Sequence, residues 1–213
     1  TVKIAAQDSD SVTAVAGTNG RSFVGALTLT SSFGGSEGTC SVAVTFQDLA
    51  SNAGVTQNGV IGSSVVTIDL TPPALPAVTI ASSNAAATMR ANAGDTITLS
   101  ITASETILPP VVAIAGRSAS VSGGSNNRWT ATYKVVTAEV SEGPASVFVV
   151  FEDLASNSGQ NVSTTTGSSV VTIDLTAPTM TSVTIASDNV ADSTKANGGD
   201  TITVSMVASE ALV

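Results

Sequence analysis

The strongest constraint on what this chain can fold into is an internal echo: four separate segments recur, each displaced by 105 residues. Phe46-Gln47-Asp48-Leu49-Ala50-Ser51-Asn52 returns as Phe151-Glu152-Asp153-Leu154-Ala155-Ser156-Asn157, and residues 62–71 return unchanged as 167–176. Residues 78–82 return as 183–187, and 94–98 as 199–203. Such a period is too long for one turn of a solenoid and matches the size of one β-sandwich domain. It predicts that the 213 residues divide into the C-terminal part of one repeat (1–71), a complete repeat (72–176) and the N-terminal part of the next (177–213). Two explanations of that phase are open. Either the chain is one unit of a longer array, the preferred explanation, or its split halves complete one another between neighbours.

Within the complete repeat, turn residues and apolar alternation predict seven strands, at 77–82, 96–104, 111–115, 118–122, 128–136, 145–152 and 168–175. In the second of these, Ile97, Leu99, Ile101 and Ala103 alternate with Thr and Ser, the mark of a half-buried strand. Trp129 and Tyr133, the only Trp and the only Tyr, share the fifth. Gly123-Gly124-Ser125-Asn126-Asn127 reads as a turn between strands, not a phosphate loop, because no helical pattern follows it. Many short strands without a helical period predict an all-β chain of tandem immunoglobulin-like antiparallel β-sandwiches arranged end to end. The cysteine pair of antibody domains is absent, so the likeness is one of architecture.

Composition narrows the function. The chain is 42% hydrophobic but only 3% aromatic, so the core must be built from Val, Ile, Leu and Ala. No apolar run approaches the ~20 residues of a membrane-spanning helix. Seven basic against 16 acidic residues give a net charge of −9, which disfavours nucleic acid and anionic membranes as partners. The absence of histidine removes the commonest general base, and no nucleophile motif or cleft-forming acid pair replaces it, so an enzyme is not expected. Cys40, the single cysteine, reads as a small buried strand residue, with an interchain bridge as the alternative. Residues 1–4 already read as strand, which places any targeting segment outside the chain.

The runs Asp153-Leu154-Ala155-Ser156-Asn157 and Val171-Thr172-Ile173-Asp174-Leu175-Thr176-Ala177-Pro178 resemble the D-x-A-G-N and V-D-x-T-A-P signatures of bacterial-type Ig-like repeats. Those repeats are strung together in giant extracellular adhesins and cell-surface filament proteins. The resemblance covers both copies, with Ser51 and Ser156 standing where the family has Gly. It implies an extracellular or cell-surface location and calcium held near domain junctions. Carried over residue by residue, the candidate ligands are Asp153, Asn157, Asp174, Asp188 and Asn189, oxygen donors of the kind calcium prefers. The upper junction has Asp48, Asn52, Asp69 and Asn84, but Ser83 stands where Asp188 does. The alternative is that Asp48 and Asp153 cap tight turns through Asx hydrogen bonds.

Asn161-Val162-Ser163 is an N-glycosylation sequon in an expected exposed loop. The functional expectation is a structural module forming a rigid shaft or spacer of a long surface or filament protein. Its partners are neighbouring repeats of the same chain, with lateral homo-assembly into a filament as a further possibility. The alternative is an adhesive module recognising a glycan or protein receptor. Near-identity of the copied segments speaks against it, because recognition loops differ between copies. The most divergent stretch is 7–36 against 117–141.

Overall fold

A computed structural model describes residues 1–4, 7–8, 11–14, 20–30, 33 and 36–212, with backbone alone for 7–8 and 11–14. Much of the divergent stretch 7–36 lies outside the described residues. The chain forms two compact units, Thr1–Pro73 with Glu152–Gly159, and Ala74–Phe151 with Gln160–Val213. Apart from short 3₁₀ turns the ordered elements are strands, and no α-helix occurs among the described residues.

Among its described residues the first unit holds eight short strands: β1 (Val2–Ile4), β2 (Gln7–Asp8), β3 (Ser11–Ala14), β4 (Phe23–Ala26), β5 (Gly38–Thr39), β6 (Val42–Val44), β7 (Gln57–Asn58) and β8 (Thr67–Ile68). They form an antiparallel sheet in the order β2-β1-β6-β7 and two antiparallel pairs, β3-β4 and β5-β8. Little of it is buried. Ile68 is closed off from solvent, whereas Phe46, Val65 and Val66 are exposed.

The second unit begins with β9 (Ala77–Ser82), β10 (Arg90–Ala91), β11 (Thr96–Thr102), β12 (Val111–Ile114), β13 (Arg117–Ser118) and β14 (Ser120–Gly123). It continues with β15 (Arg128–Lys134), β16 (Gly143–Pro144), β17 (Val147–Val150), β18 (Thr172–Ile173), β19 (Met180–Ser187) and β20 (Ile202–Ala208). One antiparallel sheet runs β14-β15-β11-β9, a second β13-β12-β17, and a third β10-β18-β16 includes a parallel pair at β10-β18. Among the described residues β19 and β20 pair only with each other.

Period-2 alternation sets which side chains go inward. Ile97, Leu99 and Ile101 of β11 face the core together with Ala103, as their spacing predicts. They join Val78 and Ile80 of β9, Trp129 and Tyr133 of β15, Val112 and Ile114 of β12, Val147 and Val149 of β17, and Ile173 of β18 in a single hydrophobic cluster. Tyr133 keeps a polar outlet, its hydroxyl donating to Glu139 Oε2 at 3.1 Å. Burial first, then that carboxylate, push its pKa upward.

The expected strands are present but shorter at several ends. The expected strand 168–175 is reduced to β18, because residues 166–168 form a 3₁₀ turn whose neighbourhood bonds through side chains instead of a ladder. Thr166 Oγ1 both accepts from Val78 N and donates to Val78 O at 3.1 Å, and Ser169 Oγ accepts from Ile80 N at 3.2 Å. The expected 118–122 strand divides into β13 and β14 around Ala119, whose amide donates instead to Val112 O. The glycine-rich turn before β15 is one: Gly123 and Gly124 have φ of 119° and 100°, and a Cβ on Gly123 would strike the Arg128 carbonyl.

The echo in sequence is also an echo in register. Val2, Lys3 and Ile4 of β1 face Val44, Ala43 and Val42 of β6. Val112, Ala113 and Ile114 of β12 face Val149, Phe148 and Val147 of β17, which lie 105 residues beyond those β6 partners. β5-β8 repeats the pairing of β16-β18, and β19-β20 repeats that of β9-β11, pair for pair from Val183↔Met206 against Val78↔Ile101.

Candidate metal-binding loops

The loop after β17 is organised by one carboxylate. Asp153 Oδ1 accepts from the amides of Ala155 (2.7 Å) and Asn157 (2.9 Å), while Oδ2 accepts from Asn157 Nδ2 at 2.8 Å. These bonds close an Asx-type turn, the local structure that short acidic side chains favour. The chain reverses at Ser156, whose φ of 68° lies in the left-handed region. A Cβ is strained in this conformation, so a Gly would be favoured at this position. Asp48 builds the same loop, accepting from Ala50 N, Asn52 N and Asn52 Nδ2, with Ser51 also at φ 68°.

The two loops differ in environment. The Asp153 side chain is 1% exposed, whereas Asp48 lies open to solvent. Burial works to raise the Asp153 pKa, but the hydrogen bonds led by Asn157 outweigh it and leave the carboxyl below its usual range. For Asp48 the Asn52 side chain is the chief cause of a depression in the same direction. No buried side-chain nitrogen or oxygen lacks a hydrogen bond among the described residues.

Within the first unit, the Asp153 and Asp69 carboxylates approach within 4.8 Å of each other. Asn157 Nδ2, already bonded to Asp153, also donates to the Asp69 carbonyl at 3.1 Å. The amide thus spends its donors on the Asp153 carboxylate and the Asp69 backbone carbonyl, and as a metal ligand Asn157 would have to present Oδ1 instead. The other expected ligands are engaged locally. Asp174 forms an ion pair with Arg90 at 3.6 Å and accepts from Thr176 N. Asp188 Oδ1 accepts from Thr201 N at 2.9 Å, and Asn189 Oδ1 from Ala191 N at 2.9 Å. Neither Asp174 nor Asp188 belongs to a group of three acids close enough to share an ion, among the described residues. In the earlier copy, Ser83 Oγ accepts from Thr96 N at 2.9 Å, the bond Asp188 makes in the later one. Hydroxyl and carboxylate therefore serve one turn interchangeably.

Sequence reasoning missed a second repeated acid. Glu142 Oε1 accepts from Leu175 N (2.8 Å) and Thr176 Oγ1 (2.7 Å), just before Ala177-Pro178. Glu37 does the same for Leu70 N (2.7 Å) and Thr71 Oγ1 (2.8 Å), just before Pro72-Pro73. The Thr176 hydroxyl is the main cause of a lowered Glu142 pKa. The signal was available: Ser36-Glu37-Gly38 and Ser141-Glu142-Gly143 carry the same 105-residue offset.

Asn161 is exposed and precedes Val162, whose amide and carbonyl both bond to Val149. Cys40 is a free thiol, half-buried, beside an apolar groove of about 1110 Å³ in the first unit. Comparison of the chain with known protein families, with curated proteins and with solved structures returned no match.

Proposed function

We propose that this chain is a run of tandem immunoglobulin-like sandwich repeats, with boundaries at 1–71, 72–176 and 177–213, serving as the rigid shaft or spacer of an extracellular filament or surface protein. The observation that carries the reading is the repetition of register and side-chain bonds between copies, down to the Asp48 and Asp153 turns and the Glu37 and Glu142 clamps. Recognition loops differ from copy to copy, whereas a spacer gains length from every identical module. The clamps support stiffness. Each ties the last two residues before a proline-containing segment back onto its own unit, and proline restricts the backbone that follows. Calcium is not needed to close the Asp153 turn, because protein donors already do so.

Small-angle X-ray scattering extrapolated to zero concentration tests the shaft. A compact globule of this length has a radius of gyration of about 17 Å. Sandwiches laid end to end, each advancing about 40 Å, predict about 24 Å. A value near the globular one contradicts the shaft reading.

A further inference from the structure

The turn ahead of β20 has a twin ahead of β11, and the two differ at one residue: Asn92-Ala93-Gly94-Asp95 against Asn197-Gly198-Gly199-Asp200. Both close in the same way. Asp95 N donates to Asn92 O and Asp200 N to Asn197 O, each at 3.2 Å. Each Asp carboxylate accepts in return from the Asn backbone amide at 2.8 Å. Gly94 and Gly199 take a positive φ, 92° and 112°, at the turn position that favours glycine. Position 198 makes no such demand: its backbone is not left-handed, and a Cβ there would meet nothing within 4 Å. Ala93 fills the same place in the earlier copy. The turn therefore does not need a glycine at 198.

What that glycine changes is reactivity. Asn197 and Gly198 are exposed, as Asn92 and Ala93 are in the complete copy, so the openness belongs to the turn itself. The Asn197 side chain and Gly198 N have no hydrogen-bond partner among the described residues. We infer that Asn197, and neither Asn92 nor Asn58 in the folded chain, converts spontaneously to aspartate and isoaspartate through attack of Gly198 N on Asn197 Cγ. Without a Cβ at 198 the backbone can swing into the attacking geometry that Ala93 obstructs. Hydroxide takes the Gly198 N–H proton, the N–Cγ bond forms, and Nδ2 leaves as ammonia with a proton from water. One water then opens the five-membered imide, at Cγ to give aspartate or at the main-chain carbonyl carbon to give isoaspartate. Either product adds a carboxylate to the Asp200 turn, and isoaspartate also displaces the carbonyl that Asp200 N bonds. Asn58-Gly59 is the same dipeptide held still. Gly59 N donates to Val42 O at 2.6 Å, and Asn58 pairs with Ala43. The remaining Asn-Gly, at 19–20, begins outside the described residues.

The test incubates the folded chain in mildly alkaline buffer and reads each site by mass spectrometry after trypsin digestion in mild acid. Arg90, Arg117 and Lys195 put Asn58, Asn92 and Asn197 in separate peptides. Asn197 is expected to convert at least about tenfold faster than Asn92 or Asn58. Gly198→Ala should bring Asn197 down to the Asn92 rate with the turn intact. In urea Asn58 should rise to the Asn197 rate while Asn92 stays slow, which separates the hold of the β6-β7 ladder from the chemistry of the dipeptide. An Asn197 no faster than Asn92, a rate unchanged by G198A, or an Asn58 that matches Asn197 in the folded chain overturns the inference.

Discussion

β9-β11 and β19-β20 share sequence, register and turn bonds, yet one is the heart of a core and the other a bare hairpin. Ser82 Oγ accepts from Asn84 N at 3.2 Å, and Ser187 Oγ accepts from Asn189 N at 3.2 Å. Asp95 and Asp200 each accept from the amide three residues earlier at 2.8 Å. The turn bonds and the shared two-stranded ladder are therefore the same in both, whereas β11 also pairs with β15 and has its apolar face covered. Strand pairing and turn chemistry are set within a few residues, whereas the hydrophobic contribution depends on what covers the face.

The largest contrast is expected at equivalent apolar positions. Leu99→Ala should cost about 3 kcal/mol in urea unfolding followed by Trp129 emission, because it opens a cavity in a closed core. Val204→Ala should change the stability of the monomer by less than about 0.5 kcal/mol. Equal effects at the two positions would mean that the hairpin face is covered within one molecule.

Next come the paired turns. Asp153→Ala removes a buried acceptor of three hydrogen bonds and should cost about 2–3 kcal/mol. Asp48→Ala, made in the exposed copy, should cost less. Both carboxyls have folded pKa values below their unfolded ones. Their stabilisation is thus fully present above the unfolded value of about 4 and is lost as pH falls through the folded values. Acid unfolding of wild type should therefore steepen below about pH 4, and D153A and D48A should each flatten that limb.

The smallest effect concerns strain. Ser51 and Ser156 occupy left-handed backbone at φ 68°. Ser156→Gly should stabilise by about 0.5–1 kcal/mol, with Gly's extra unfolded-state freedom offsetting part of the relief. A loss on thermal melting would indicate that the Ser156 side chain contributes more than its backbone strain costs.

Much of the fold was legible where a residue's fate depends on its neighbours in sequence. The alternation of Ile97, Leu99 and Ile101 marked β11, and the glycines at 123–124 marked the turn before β15. The short β18 was not legible, because Thr166 and Ser169 take over backbone partners of β9 that lie almost ninety residues away. Nor was the contrast between Phe46 and Phe151, which sit in nearly identical segments and differ only in what packs on them. At the candidate loops the Asx turns could be read from Asp-x-x-x-Asn spacing. That the Asn157 amide points its donor at Asp69 could not, since it depends on where a distant strand end passes.

Hydrogen exchange read by mass spectrometry across β11 and β20 tests most directly whether the added β15 ladder and the covering layer, not the hairpin and its turns, make the closed core. In dilute protein the β11 amides, held between β9 and β15, should resist exchange nearly to the limit of global unfolding, while the β20 amides, paired with β19 in the register of β9-β11, exchange orders of magnitude faster. Equal protection of the two strands in dilute protein would contradict the account.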